Sequence, residues 1–116
     1  MPSTLKEELA PFIFIDAQTG SYSVILNVGT YKQEVFDTRA DEGFEGNGYD
    51  WASLAAVFLE EKMPELVAVI HFDPEADMFC VYSDNKDALI TFTRGFKQAC
   101  EQHDLIHDLF SRAELD

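Results

Sequence analysis

Two histidines four positions apart, in His103-Asp104-Leu105-Ile106-His107, carry the sharpest chemical signal in the sequence. At that spacing they share one face of a helix, as the paired ligands of HExxH zinc-protease helices do. A metal ion held there would activate water for hydrolysis, with His71 as a further imidazole. Asp104, however, stands where that motif has its Glu base. It is one methylene shorter and serves better as a helix N-cap. Downstream, only Glu114 and Asp116 could add a third ligand, and both fall at the end of the chain. A small metal-dependent hydrolase built on His103, His107 and His71 is therefore the alternative reading. Two surface histidines are the expected one.

The other candidate chemistries fail on local pattern. Asp73-Pro-Glu-Ala-Asp77 has oxygens at alternate positions, like the start of a calcium loop. Such a loop needs Gly at its sixth position, where this chain has Met78 followed by apolar Phe79, Cys80 and Val81. A hairpin turn fits better: Pro74 fixes φ, and Asp73 can accept a hydrogen bond from the backbone two residues on. Cys80 and Cys100 lie in apolar patterns among acidic neighbours, which gives no route to a reactive thiolate. Both are expected to be buried, reduced thiols. No Ser sits in a G-x-S-x-G elbow. Gly43, Gly46 and Gly48 have acidic neighbours and no accompanying Lys, so they would repel phosphate rather than cradle it. No catalytic residue, metal or cofactor is expected.

What remains is charge. Eight basic residues face 22 acidic ones, a formal net charge of -14. A nucleic-acid backbone or an anionic membrane would be repelled, so neither is an expected partner. A basic protein would be drawn in quickly and in a salt-dependent way. The acids are densest between Asp37 and Asp50, where Asp37, Asp41, Glu42, Glu45 and Asp50 surround a lone Arg39. Phe44 and Tyr49 are interleaved with them. Aromatic anchors within a charged rim are what protein interfaces use. Asp37, Asp41, Glu42, Phe44, Glu45 and Tyr49 are thus the candidate partner-binding residues.

The elements that must position these residues can be read from periodicity. Phe12–Ile15 and Tyr22–Val28 are β-rich runs separated by a turn, and predict a hairpin. Tyr31–Phe36 is weakly strand-like. Residues 37–50 show no apolar periodicity and read as a loop. From Asp50, taken as N-cap, Trp51, Leu54, Ala55, Phe58 and Leu59 mark one helical stripe, ended near Lys62 by Pro64. Leu66–Phe72 and Met78–Ser83 predict a second hairpin across the 73–77 turn. A helix capped by Asp84 or Asn85 carries Leu89, Phe92, Phe96 and Cys100 on one face, and a last short helix starts near Asp104. The expected fold is α+β: an antiparallel sheet of four to five strands built from two hairpins, with helices packed on one face. Its expected core is Phe12, Phe14, Ile25, Trp51, Phe58, Val69, Phe79, Phe92, Phe96 and Phe110. With 116 residues, 47% of them hydrophobic, the chain is expected to form one domain over 1–116. No basic n-region with an apolar run opens it, and no apolar stretch reaches membrane-spanning length. A cytoplasmic location is expected, and the oligomeric state is left open.

Three segments together resemble a known family. They are GNGYDW at 46–51 leading into FLEEK at 58–62, FDPEADMFCVYS at 72–83, and FSRAEL at 110–115. They are similar to the immunity protein 51 family of bacterial polymorphic toxin systems. The resemblance runs from about Gly43 to the end and more loosely over the first hairpin. It implies a non-enzymatic role: binding a cognate secreted toxin domain and neutralising it in a stoichiometric complex. It implies no catalytic residues. Many toxins that act on nucleic acid are basic for the reason this chain is acidic, so a nuclease is the favoured target. An acidic regulator that mimics DNA in the basic groove of a host protein shares the charge argument and is a further alternative.

Overall fold

The computed structural model describes residues 5–115. Four strands form an antiparallel sheet in the order β1-β2-β4-β3: β1 Ile13–Asp16, β2 Tyr22–Asn27, β3 His71–Phe72 and β4 Met78–Ser83. The helices are α1 Leu5–Leu9, α2 Gln33–Asp37, α3 Gly48–Lys62, α4 Lys86–Cys100 and α5 His103–Phe110. This is the expected α+β arrangement. The two hairpins join through the β2–β4 pairing, which runs from Tyr22↔Ser83 to Asn27↔Met78.

Cross-strand partners share a face, so the register sorts the side chains. Val24 pairs with Val81 and Leu26 with Phe79, and all four are buried against the helices. α3 lies on β4, α4 lies on β2 and β4, and α5 packs against α2, α3 and α4. Trp51 is the hub of the core. It is 1% exposed and meets the rings of Phe12, Tyr31, Phe36, Phe79 and Phe96, with Phe36 nearest at 5.0 Å between centroids. Its Nε1 is the one buried side-chain polar atom without a hydrogen-bond partner among the described residues.

The alternate ladder faces away from the helices. Ile13 pairs with Ile25 and Ile25 with Cys80, while Ile15, Ser23, Tyr82 and His71 form the next row. Ile25 therefore sits on the open face, not in the core. Tyr22–Asn27 has three apolar residues in a row, Val24, Ile25 and Leu26, so its pattern cannot say which parity points inward. Register with Phe79 and Val81 decides it.

Three further expectations are corrected. The weak strand at 31–36 is helical: α2 carries Val35 and Phe36 into the core. β2 already has β1 on one side and β4 on the other, so no edge beside it is free for a further strand. The strand expected over Leu66–Phe72 shrinks to two residues. A 3-10 turn at Pro64–Leu66 continues into local hydrogen bonds, Val69 and Ile70 both donating to the Leu66 carbonyl at 3.0 Å. Leu66–Ile70 has strand propensity, but local turns take up its backbone groups. The 37–50 segment is not a free loop either. Ala40–Glu42 is a 3-10 turn, and α3 begins at Gly48, two residues before Asp50.

The start of α3 is fixed by backbone contact. The Gly48 N–H donates to the Ala76 carbonyl at 3.1 Å. A Cβ on Gly48 would lie 1.8 Å from the Glu75 carbonyl oxygen and 2.3 Å from that of Met78. Only glycine fits, and the obstacle is backbone that cannot swing aside. Gly48→Ala should therefore lower stability by about 3 kcal/mol or more, at the upper end of overpacking costs. A Cβ at Gly29 would meet nothing within 4 Å, although φ there is +109°. Gly29→Ala should cost only about 1–2 kcal/mol of backbone strain. Urea unfolding of the two variants checks the ranking.

Candidate functional site

The acidic segment is held by two residues that point inward. Asp50 is 3% exposed. Its Oδ2 accepts hydrogen bonds from the Glu45 N–H at 2.7 Å and the Gly46 N–H at 2.9 Å. Asn47, the true N-cap of α3, returns the arrangement by accepting from the Asp50 N–H at 2.9 Å. The pair works as a reciprocal capping box shifted toward the preceding loop. Asp50, expected as the N-cap, instead occupies the first turn of α3, where its negative charge suits the helix dipole. Gly46, at φ +82°, provides the left-handed turn that lets the chain fold back over the carboxylate.

Arg39 is the second holder. Its guanidinium donates to Phe110 O at 2.5 Å and to Ala113 O at 2.9 Å, closing the C-terminal end of α5. The other side of the fork grips Glu42 through two bonds of 2.9 and 2.8 Å. The same group lies over the rings of Phe44 and Phe110, 4.5 and 5.0 Å from their centroids. Hydrogen bonding to Arg39 holds the Glu42 carboxyl below its usual range. The sequence showed Arg39 only as a lone base among acids. Phe110, 71 residues away, gives no local hint of the contact.

These anchors divide the six candidate residues. Phe44 is 3% exposed and meets Phe110 edge-on at 4.9 Å, so its ring belongs to the core. Glu42 is bound to Arg39. Asp37 is exposed and accepts from Gln33 Nε2 at 3.2 Å. Glu45 is exposed and accepts from Asn47 Nδ2 at 3.1 Å. Asp41 is exposed, and Tyr49 is 41% exposed. No ion pair among the described residues engages Asp37, Asp41 or Glu45. The surface of the segment is thus three unneutralised carboxylates beside one projecting phenol.

The histidine pair is formed as expected at helical spacing, with ring centroids 4.4 Å apart on α5. α5 begins at His103 with Gln102 at its N-cap, so Asp104 lies inside the first turn. His71 is elsewhere, on β3 against Tyr82 at 5.2 Å. Among the described residues no group of three or more His, Cys, Asp or Glu is placed to hold a metal ion. Burial pushes both thiols up, Cys100 inside the core and Cys80 beside Asp73 and Glu75, which opposes nucleophilic use of either. No helix among the described residues is long and apolar enough to cross a membrane.

Arg39→Lys keeps the charge but loses the fork, so it should cost about 2 kcal/mol and speed proteolysis of the 37–50 segment. Asp41→Asn, which breaks no contact, should stay within about 0.5 kcal/mol. Thermal melts with limited proteolysis test the contrast.

Compared with known proteins, residues 12–115 match the family model described as Immunity protein 51. No curated protein and no solved structure matches the chain.

Proposed function

Because the chain belongs to the immunity protein 51 family, we propose that it neutralises a cognate secreted toxin domain by forming a stoichiometric complex with it. The family match over nearly the whole chain is the observation that carries this reading. The charge of -14 supports it, because electrostatic steering can raise an on-rate by ~10 to 10³ and an inhibitor must outrun its target. The target is a basic enzyme, and a nuclease is the class whose own substrate demands a basic surface. The chain acts by occupying the toxin, without chemistry of its own.

Asp41 and Glu45 supply rim charge, and Tyr49 supplies an anchor. Rim charges act mainly on association, anchors mainly on dissociation. A toxin domain encoded beside the gene for this chain is the partner to test. Co-expression of this chain should restore growth of cells making that toxin, and failure to do so would refute the proposal. In surface binding assays, Asp41→Asn with Glu45→Gln should slow association about 3- to 10-fold at low salt and flatten its salt dependence. Tyr49→Ala should speed dissociation with association unchanged. Unchanged rates in these folded variants would place the contact elsewhere on the chain.

A further inference from the structure

The open face of the sheet is apolar at its centre and, among the described residues, carries no Lys or Arg. Ile13 and Ile15 are 40% and 41% exposed, and Tyr82 is 38% exposed. Ile25 and Cys80 lie between them on the same ladder. Three of the six large hydrophobic side chains that stand most exposed among the described residues are therefore on one sheet face. Scattered apolar side chains need no explanation, but a contiguous set does.

The charges around this face are of one sign. Neither Lys nor Arg occurs between residues 11 and 31 or between 63 and 85, the two stretches that contain all four strands and their turns. Those stretches do contain Asp16, Asp73, Glu75, Asp77 and Asp84. Asp73 continues the ladder of His71 onto the open face, its N–H donating to the Cys80 carbonyl at 2.9 Å. None of these five acids has an ion-pair partner among the described residues. All three arginines are ion-paired elsewhere: Arg39 to Glu42, Arg94 of α4 to Glu8, and Arg112 to Glu61 and Asp108.

Building on the immunity reading, we propose that this open sheet face is a docking surface for the toxin, receiving an apolar patch rimmed by lysines and arginines. Charge complementarity selects that occupant. A second copy of this chain would bring another -14 and the same unpaired acids to the contact. An anionic membrane would be repelled for the same reason. The acidic segment reaches the hairpin turn at the end of the sheet. Gly48, next to Tyr49, is hydrogen-bonded to Ala76 in the turn that carries Glu75 and Asp77.

Cys80 is a reporter already in place. It lies half-buried at the centre of the face, while Cys100 is buried in the core and serves as an internal reference. The probe is the inactivated form of that neighbouring toxin domain, added at saturation to the unmodified chain. Alkylation of Cys80 by iodoacetamide at mildly alkaline pH should slow at least about tenfold in the complex. Ile15→Thr with Tyr82→Thr, which keeps strand propensity, should raise the dissociation rate by a similar factor of about ten. If the toxin domain binds and Cys80 reacts at its free rate, the docking face is wrong and the immunity reading stands. If the toxin domain does not bind the unmodified chain, both fall. If sedimentation shows a dimer of this chain that protects Cys80 without toxin, the face belongs to a second copy and the proposal is overturned.

Discussion

A contact with no room for a side chain organises this protein. At Gly48 the first turn of α3 meets the 75–78 turn of the second hairpin, backbone against backbone, with the Gly48 N–H bonded to Ala76 O. Everything nearby is referred to that point. Asn47 and Asp50 exchange caps around it, so the helix starts at one residue and no other. Three residues on, Trp51 is thereby delivered to the middle of five aromatic rings. The Val28 N–H reaches Asp77 O at 3.4 Å, so the first hairpin is tied to the same turn. One close approach thus sets helix, core and both hairpins at once.

The parts of the fold that were legible in the sequence are those governed by local rules. The hairpins, the caps at Asn85, and the amphipathic faces of α3 and α4 follow from turn chemistry and period. The parts that were not legible depend on distant partners. Val35 and Phe36 look strand-like until the absence of a free edge beside β2 is known. Leu66–Ile70 has the composition of a strand, yet its amides find nearer acceptors. Ile25 looked like core because Val24, Ile25 and Leu26 are all apolar, and only pairing with β4 breaks the tie. In the acidic segment, unneutralised Asp41 and Glu45 were visible from charge alone. The diversion of Phe44 and Glu42 was not, because it depends on Arg39 reaching the far end of α5.

Charge is sorted by layer. The arginines all serve as struts. Arg39 closes the end of α5, Arg94 and Lys97 hold α1 to α4, and Arg112 ties the chain's end to α3. Exposed pairs of this kind contribute little each, about 0–1 kcal/mol. Their larger effect is positional. They hold the arginines on the helical side and leave the open sheet face without Lys or Arg. A net charge of -14 opposes compactness through self-repulsion, so this distribution costs stability. Such a cost is tolerable where a large aromatic core offsets it, and it makes sense where a cation-rich surface is later brought near.

Two of the three stretches that carry the family resemblance meet at the Gly48–Ala76 contact. GNGYDW supplies the glycine, the cap and the tryptophan, and FDPEADMFCVYS supplies the turn and the central strand. Those side chains are committed to holding the fold: Asp50 to two amides, Trp51 to the core, Phe79 and Val81 to the inner sheet face. A residue so committed cannot also be exchanged to fit a different partner without loss of structure. On the proposed reading, recognition falls to groups that the fold leaves exposed. The proposed set is the carboxylates of Asp41 and Glu45, the phenol of Tyr49, and the outward row of Ile13, Ile15 and Tyr82 with its acidic rim. The motif residues serve the scaffold, and the proposed contact residues lie on the surface it leaves free. In the proposed complex, long-range charge governs how fast a partner arrives, and the apolar row and phenol govern how long it stays. A rigid sheet and a doubly anchored acidic segment hold both sets in place before any partner is met, which lowers the entropic cost of capture.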